Sequence, residues 1–275
     1  MTTWEEAVRW YRAQPGNDDA IRANYFDLPV QRAAERYAAS EEFGEVARLL
    51  GNRSGGRILD LGAGNGIASY ALAAKGWRVF ALEPDESSEV GAAAVRNLAA
   101  ATGLPIEVST EVGERLPFTD AFFDAVHARQ VLHHVPDLGQ TMRELFRVTR
   151  PGALVLATRE HVADDAAQLA EFRKCHPLHH LYGGENAHSL EQYRNAAREA
   201  GFIEVAVYPP LASILNFSPG TEAQRHALVQ KLTRRHLGSF GLLSFLPALQ
   251  RRSLARVAAT DKTPGRIYSF LWRHP

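Results

Sequence analysis

Polar and apolar residues alternate at helical spacing from the first residues of the chain. In MTTWEEAVRWYR, Trp4, Ala7, Val8 and Tyr11 recur three and four apart between charged positions, which predicts an amphipathic helix, and Thr2 and Glu5 have the spacing of a capping box. Helical patterning continues to about Gly51, broken near Pro15-Gly16 and Pro29, with no strand. From Arg57 the pattern changes. Short apolar runs (RILDL, WRVFALE from Trp77, IEVST from Ile106, FFDAVHA from Phe122 and ALVLATRE from Ala153) alternate with helix-length segments. Strands alternating with helices predict βαβ units and a mostly parallel α/β sheet covered on both faces.

After Glu160 the regularity lapses through HPLHHLYGGENAH, which begins at His176. SLEQYRNAAREAGF then predicts a helix with Ser189 as its N-cap and Gly201 as its stop, followed by the strand FIEVAVY. A second irregular, helix-rich stretch runs from about Pro209 to Lys262, and RIYSFLWR from Arg266 is a seventh run rich in β-formers. No Pro-, Gly- or Ser-rich linker divides the chain. The expectation is therefore one domain over 1–275: an N-terminal helical lid over 1–51, a core over 55–160, cap insertions over 161–188 and 209–262, and a closing strand over 266–273.

Composition narrows the partners. A 45% hydrophobic fraction in 275 residues is ample for one large core, while 31 basic side chains balance 31 acidic ones. Without a net field to recruit nucleic acid or an anionic membrane, small molecules are the expected partners and nucleic acid is not. The single Cys175 rules out an internal disulfide and any cysteine-rich metal centre, which fits a reducing, cytoplasmic setting. The N-terminus lacks the pattern of a secretory leader, and the apolar segment SFGLLSFLPAL from Ser239 is too short to span a bilayer, so stable membrane insertion is not expected.

The strongest chemical signal follows the first strand. Gly62, Gly64 and Gly66 occupy three of five positions between RILDL and a helix, closer together than a turn requires. A strand, bare glycines and a helix start let a ligand lie against backbone N–H groups at the strand's carboxyl edge. A dinucleotide fingerprint needs a glycine at position 67, where the chain has Ile67, so the pattern disfavours NAD. Glu83 ends the second strand about twenty residues on, where a carboxylate accepts hydrogen bonds from two ribose hydroxyls. The bland alternative is a solvated acid at a strand end.

DLGAGNG from Asp60, EPD from Glu83, GERLPFTDAFFDAV from Gly113, RQVLHHV from Arg129 and ELFRVTRPGALVL from Glu144 resemble, in order and spacing, the successive motifs of the class I S-adenosylmethionine-dependent methyltransferases. More narrowly they resemble the small-molecule group of methyltransferase type 11, which includes ubiquinone-type enzymes. The likeness covers residues 55 to 160. It implies a Rossmann-like seven-stranded, mostly parallel sheet with the last strand antiparallel, and S-adenosyl-L-methionine as cofactor with S-adenosyl-L-homocysteine as product. It implies a cofactor site made by Asp60, Gly62, Ala63, Gly64, Glu83, Pro84, Gly113, Glu114, Arg129 and His134. Asp60 would stand near the cofactor's amino group, the backbone of Arg129 at its methionine end, and Pro84 on the adenine. His134 is open between this role and plain packing or a helix start. The family often has an acid where this chain has Val112, leaving Glu111 or the Gly113 N–H to serve the adenine.

A sulfonium supplies its own electrophilic methyl, so the enzyme needs in-line placement, exclusion of water and a base where the acceptor carries a proton. Glu160, His161, His179 and His180 are the expected bases, with His133 near the same strand ends. His176, His179, His180 and His188 match no zinc spacing, so no metal is expected and activity should survive chelation. Trp10, Tyr25 and Tyr37 either cover the cofactor or pack helices. Arg251 to Arg256 reads as a solvated helix face. The expected function is methyl transfer to O, N or C of a small molecule. An NAD-dependent oxidoreductase and a non-catalytic S-adenosylmethionine-binding protein are the alternatives.

Overall fold

A computed structural model describes residues 2–51 and 54–275. Helices α1 (Trp4–Ala13), α2 (Asp18–Ala23), α3 (Val30–Ala38) and α4 (Glu41–Leu50) precede β1 (Arg57–Leu61). There follow α5 (Ile67–Ala74), β2 (Arg78–Leu82), α6 (Ala92–Thr102), β3 (Ile106–Ser109), β4 (Phe123–Arg129), α7 (Leu138–Val148) and β5 (Thr149–Val162). Then come α8 (Ala166–Cys175), α9 (His179–Tyr182), α10 (Leu190–Ala200), β6 (Ile203–Tyr208), α11 (Glu222–Leu237), α12 (Pro247–Thr260) and β7 (Arg266–Arg273). The seven predicted strands all form. They make one sheet in the order β3-β2-β1-β4-β5-β7-β6, with β7 antiparallel to both its neighbours and the other pairings parallel.

Alternation along each strand divides the core into two layers. Leu59, Leu61, Phe80, Val126, Val155, Phe270 and Trp272 face one side and pack with Leu145 of α7 and Tyr193 of α10. Ile58, Val79, Ala125, Leu156 and Leu271 face the other and pack with Tyr37, Phe43 and Leu72 from α3, α4 and α5. Burying both faces fixes the register, because a one-residue slip would move each apolar set to the wrong layer.

Capping agrees with the sequence at α10, where Ser189 and Gln192 form a capping box and Gly201 stops the helix in the left-handed conformation. It differs at α1. Thr3, not Thr2, is the N-cap, and Glu6, not Glu5, completes the box. The shift leaves Glu5 free to accept hydrogen bonds from the backbone N–H groups of Ser88 and Glu89, which fastens α1 to the loop after β2.

The 209–262 stretch takes a different position from the expected one. Leaving β6, it turns through Ile214–Asn216 against α4 and β5, where the Arg159 guanidinium donates to the Ser218 carbonyl and the Ser269 hydroxyl to Asn216. It then leads into α11 and α12, which pack on each other. Arg251, Arg252 and Arg256 are exposed on α12, the solvated face expected of them. No described helix is long and apolar enough to cross a membrane.

Candidate active site

The carboxyl ends of β1, β2, β4 and β5 open into a cavity of 570 Å³. Its floor is the turn from β1 into α5. Gly62 has φ +63°, and a Cβ there would lie 2.1 Å from a Val131 methyl carbon, so both the turn and the close approach of the chain after β4 require glycine. Gly64, at φ +55°, donates its N–H to Glu83 Oε2 at 2.8 Å, and the Asp85 N–H donates to Oε1 at 2.9 Å. The acid at the end of β2 is thus held directly by the glycine loop. Burial, only partly offset by these two donors, pushes the Glu83 carboxyl up to about 7.

All ten residues assigned to the cofactor by resemblance line this cavity: Asp60, Gly62, Ala63, Gly64, Glu83, Pro84, Gly113, Glu114, Arg129 and His134. Two of them also make contacts within the protein. The Asp60 carboxylate accepts from Ser69 Oγ at 2.6 Å and lies 3.4 Å from His127 Nδ1. The Arg129 guanidinium donates to buried Glu42 of α4 at 2.7 Å, so its charge braces the lid against the sheet. Burial opposes ionisation of Glu42, yet Arg129 and Arg159 hold its carboxyl below the usual range. Val112 lines the cavity in place of the family's acid, whereas Glu111 is not among the lining residues and offers no substitute.

Trp10, Tyr25 and Tyr37 are not among the lining residues, which leaves the packing alternative for them. Tyr25 and Tyr37 are buried packing residues and Trp10 is 45% exposed, whereas Trp4, Tyr11, Asn24 and Phe26 line the cavity. Trp4 meets Phe26 at 5.7 Å and Tyr182 of α9 at 4.7 Å between ring centroids, joining lid to cap. The helical spacing of Trp4 and Tyr11 was the available signal. From the cap, His176, Pro177, Leu178, Tyr182 and Glu185 reach the lining, and no described residue of 209–262 does. The reason is topological: β6 is the far edge strand, so the chain leaving it emerges away from the β1–β4 crevice.

The expected bases separate. Glu160 is fully buried beneath the cavity and accepts from Val131 N–H at 3.1 Å, His133 N–H at 3.0 Å and His133 Nδ1–H at 2.7 Å. Burial raises it to about 7 despite those donors, and it is not among the lining residues. His179 and His180 do not line the cavity: His179 Nδ1 accepts from the Glu185 N–H, and His180 stands against Trp10. Only His161 of the four reaches it. Its Nδ1–H donates to the Gly265 carbonyl at 2.8 Å, which leaves the Nε2 lone pair for the cavity, and burial lowers its pKa to about 4. Beside it stand His133 and His134, also in the lining. The adjacent pair in RQVLHHV was their sequence signal, whereas nothing in spacing tied Glu185 to them.

Residues 59–157 match the family model described as a methyltransferase domain. The chain is 31% identical over 144 residues, 52% of its length, to the ubiquinone biosynthesis O-methyltransferase of Rhizobium rhizogenes. It spans 57% of the length of that relative. It is 30% identical over 256 residues, 90% of its length, to 43% of the glycine/sarcosine/dimethylglycine N-methyltransferase of Actinopolyspora halophila. In fold it resembles a putative sarcosine dimethylglycine methyltransferase from Galdieria sulphuraria, with a TM-score of 0.59 at 18% identity over 98% of each chain.

Proposed function

We propose that the chain is a class I S-adenosylmethionine-dependent methyltransferase that transfers the methyl group of S-adenosyl-L-methionine to a small-molecule acceptor, releasing S-adenosyl-L-homocysteine. The observation that carries this reading is one cavity lined together by Glu83, the glycine loop, His161 and the aromatic rings of Trp4, Phe26 and Tyr182. Glu83 takes the ribose hydroxyls, Asp60 lies toward the amino group, and the turn at Gly62 to Gly64 lets the cofactor lie close to the backbone. When bound, the cofactor supplies the electrophilic methyl carbon. His161 receives the acceptor's proton at Nε2, and Trp4, Phe26 and Tyr182 exclude water from the reacting pair.

Arg129 is the only lysine or arginine among the described lining residues, and Glu42 already neutralises it. That favours a neutral or cationic acceptor over a carboxylate, a phosphate or nucleic acid. A cytoplasmic location fits the lone, exposed Cys175. The test is incubation with methyl-labelled S-adenosylmethionine and a panel of alcohols, phenols and amines, read by mass spectrometry. Label in an acceptor is the expected result. Calorimetry showing NAD bound more tightly than S-adenosylmethionine and S-adenosylhomocysteine would overturn the reading.

A further inference from the structure

Two adjacent histidines from the loop after β4 and an acid from the segment after α9 meet at one point of the cavity wall. One potential ligand atom from each of His133, His134 and Glu185 lies within 4.8 Å of the others, and the His133 and His134 rings are 4.1 Å apart between centroids. His134 Nε2 is 4.0 Å from Glu185 Oε2. Each of these imidazoles has its other nitrogen tied down: His133 Nδ1–H donates to Glu160 at 2.7 Å and His134 Nδ1–H to the Gly184 carbonyl at 3.1 Å. Both rings are therefore held in the tautomer that leaves Nε2 as a lone pair. The acid is prepared in the same way, since Glu185 is buried and its Oε1 accepts from the Tyr182 hydroxyl, leaving Oε2 toward the histidines. Outer partners of this kind, a carboxylate or carbonyl behind each imidazole and a donor behind the acid, are what orient ligands around a metal ion.

We propose that His133, His134 and Glu185 bind a divalent ion of the zinc type. Two imidazoles and one carboxylate are a known donor set for such an ion, with the remaining coordination position open for a substrate oxygen. The ligand atoms must draw in by about an ångström to meet at metal-bond length. Gly183, in the left-handed conformation, and Gly184 precede Glu185 and supply a turn that can adjust. This departs from the expectation of no metal, which rested on spacing along the chain; the three ligands come from the loop after β4 and from the cap.

The ion's chemical role rests on the methyl-transfer reading, although its binding does not. It would commit the acceptor to a hydroxyl. The hydroxyl oxygen coordinates the ion and its proton passes to His161 Nε2. The oxygen then attacks the methyl carbon, and the carbon–sulfur bond breaks with its electron pair remaining on sulfur. No electron is gained or lost overall, so the ion acts as a Lewis acid.

The experiment is calorimetric titration of the full chain, first dialysed against chelator, with zinc chloride, and a parallel cobalt(II) titration followed by visible absorption. S-adenosylhomocysteine affinity and thermal unfolding are measured on the same samples. The expected result is one zinc ion per chain and cobalt bands of a low-coordinate site. Glu160→Gln, which changes the partner behind the His133 ring together with the acceptor of the Val131 and His133 N–H groups, should weaken zinc binding by about tenfold or more, and His134→Ala and Glu185→Ala by more than that. His180→Ala, on the outside, should bind as the wild type does. Substoichiometric zinc, or the same affinity in wild type, His134→Ala and Glu185→Ala, overturns the site, as does an equal loss in His180→Ala, which would mark adventitious surface binding. Loss of S-adenosylhomocysteine binding in the wild type would instead count against the methyltransferase reading and leave the zinc result standing.

Discussion

Lowering the pH from 8 to 6 is expected to weaken cofactor binding about tenfold through Glu83 alone. Burial holds this carboxyl up at about 7, with Asp85 and Asp60 adding to the rise. Ribose hydroxyls are donors and need the carboxylate, so the bound form takes Glu83 ionised. Affinity then scales with the ionised fraction: nearly all at pH 8 and about one part in eleven at pH 6, a ratio of roughly ten, or about 1.4 kcal/mol. Stability of the unliganded protein moves the other way. A raised carboxyl contributes stability that is present below the unfolded value of 4.5 and is lost as pH rises through about 7, and Glu160 adds to this with the same sign. Calorimetry with S-adenosylhomocysteine across this range, in two buffers of different ionisation enthalpy, reads both the affinity and the proton released on binding. Glu83→Gln should abolish the slope and weaken binding at pH 8 by about 1–3 kcal/mol, the worth of a charge-assisted hydrogen bond. A flat wild-type profile, or a slope retained in the Gln variant, refutes the argument.

Gly62→Ala should lose cofactor affinity by more than about tenfold and lower the unfolding temperature, because its Cβ would meet Val131 at 2.1 Å in a left-handed backbone; cofactor titration and thermal scans check both. His161→Ala should reduce turnover by about a hundredfold or more with S-adenosylhomocysteine affinity unchanged, whereas His179→Ala and His180→Ala should stay within a few-fold of wild type in the same kinetic assay. Arg129→Ala leaves Glu42 buried without its partner at 2.7 Å, and denaturant unfolding should show a loss of about 3–5 kcal/mol; a loss below about 1 kcal/mol would mean that the pair is not the brace between lid and sheet.

The part of the cavity formed by the glycine loop and Glu83 was legible in the chain because its determinants are local. A glycine triplet after a strand and an acid after the next strand are separated by single βα units, and parallel βαβ geometry leaves those ends side by side. Short apolar runs between helix-length segments sufficed to place all seven strands. The part around His161 was not legible in this way. Whether a histidine faces the cavity depends on which strand ends meet and on what holds its ring: His161 was in reach, while Glu160, its neighbour in the chain, pointed beneath the floor to His133. The approach of His133, His134 and Glu185 joins residues some fifty positions apart through a cap with no regular periodicity, and the exclusion of 209–262 from the cavity follows from β6 being the outermost strand. Local sequence encodes backbone conformation and burial, whereas convergence of side chains from distant segments is set by topology and packing, and these arise only once the sheet is assembled.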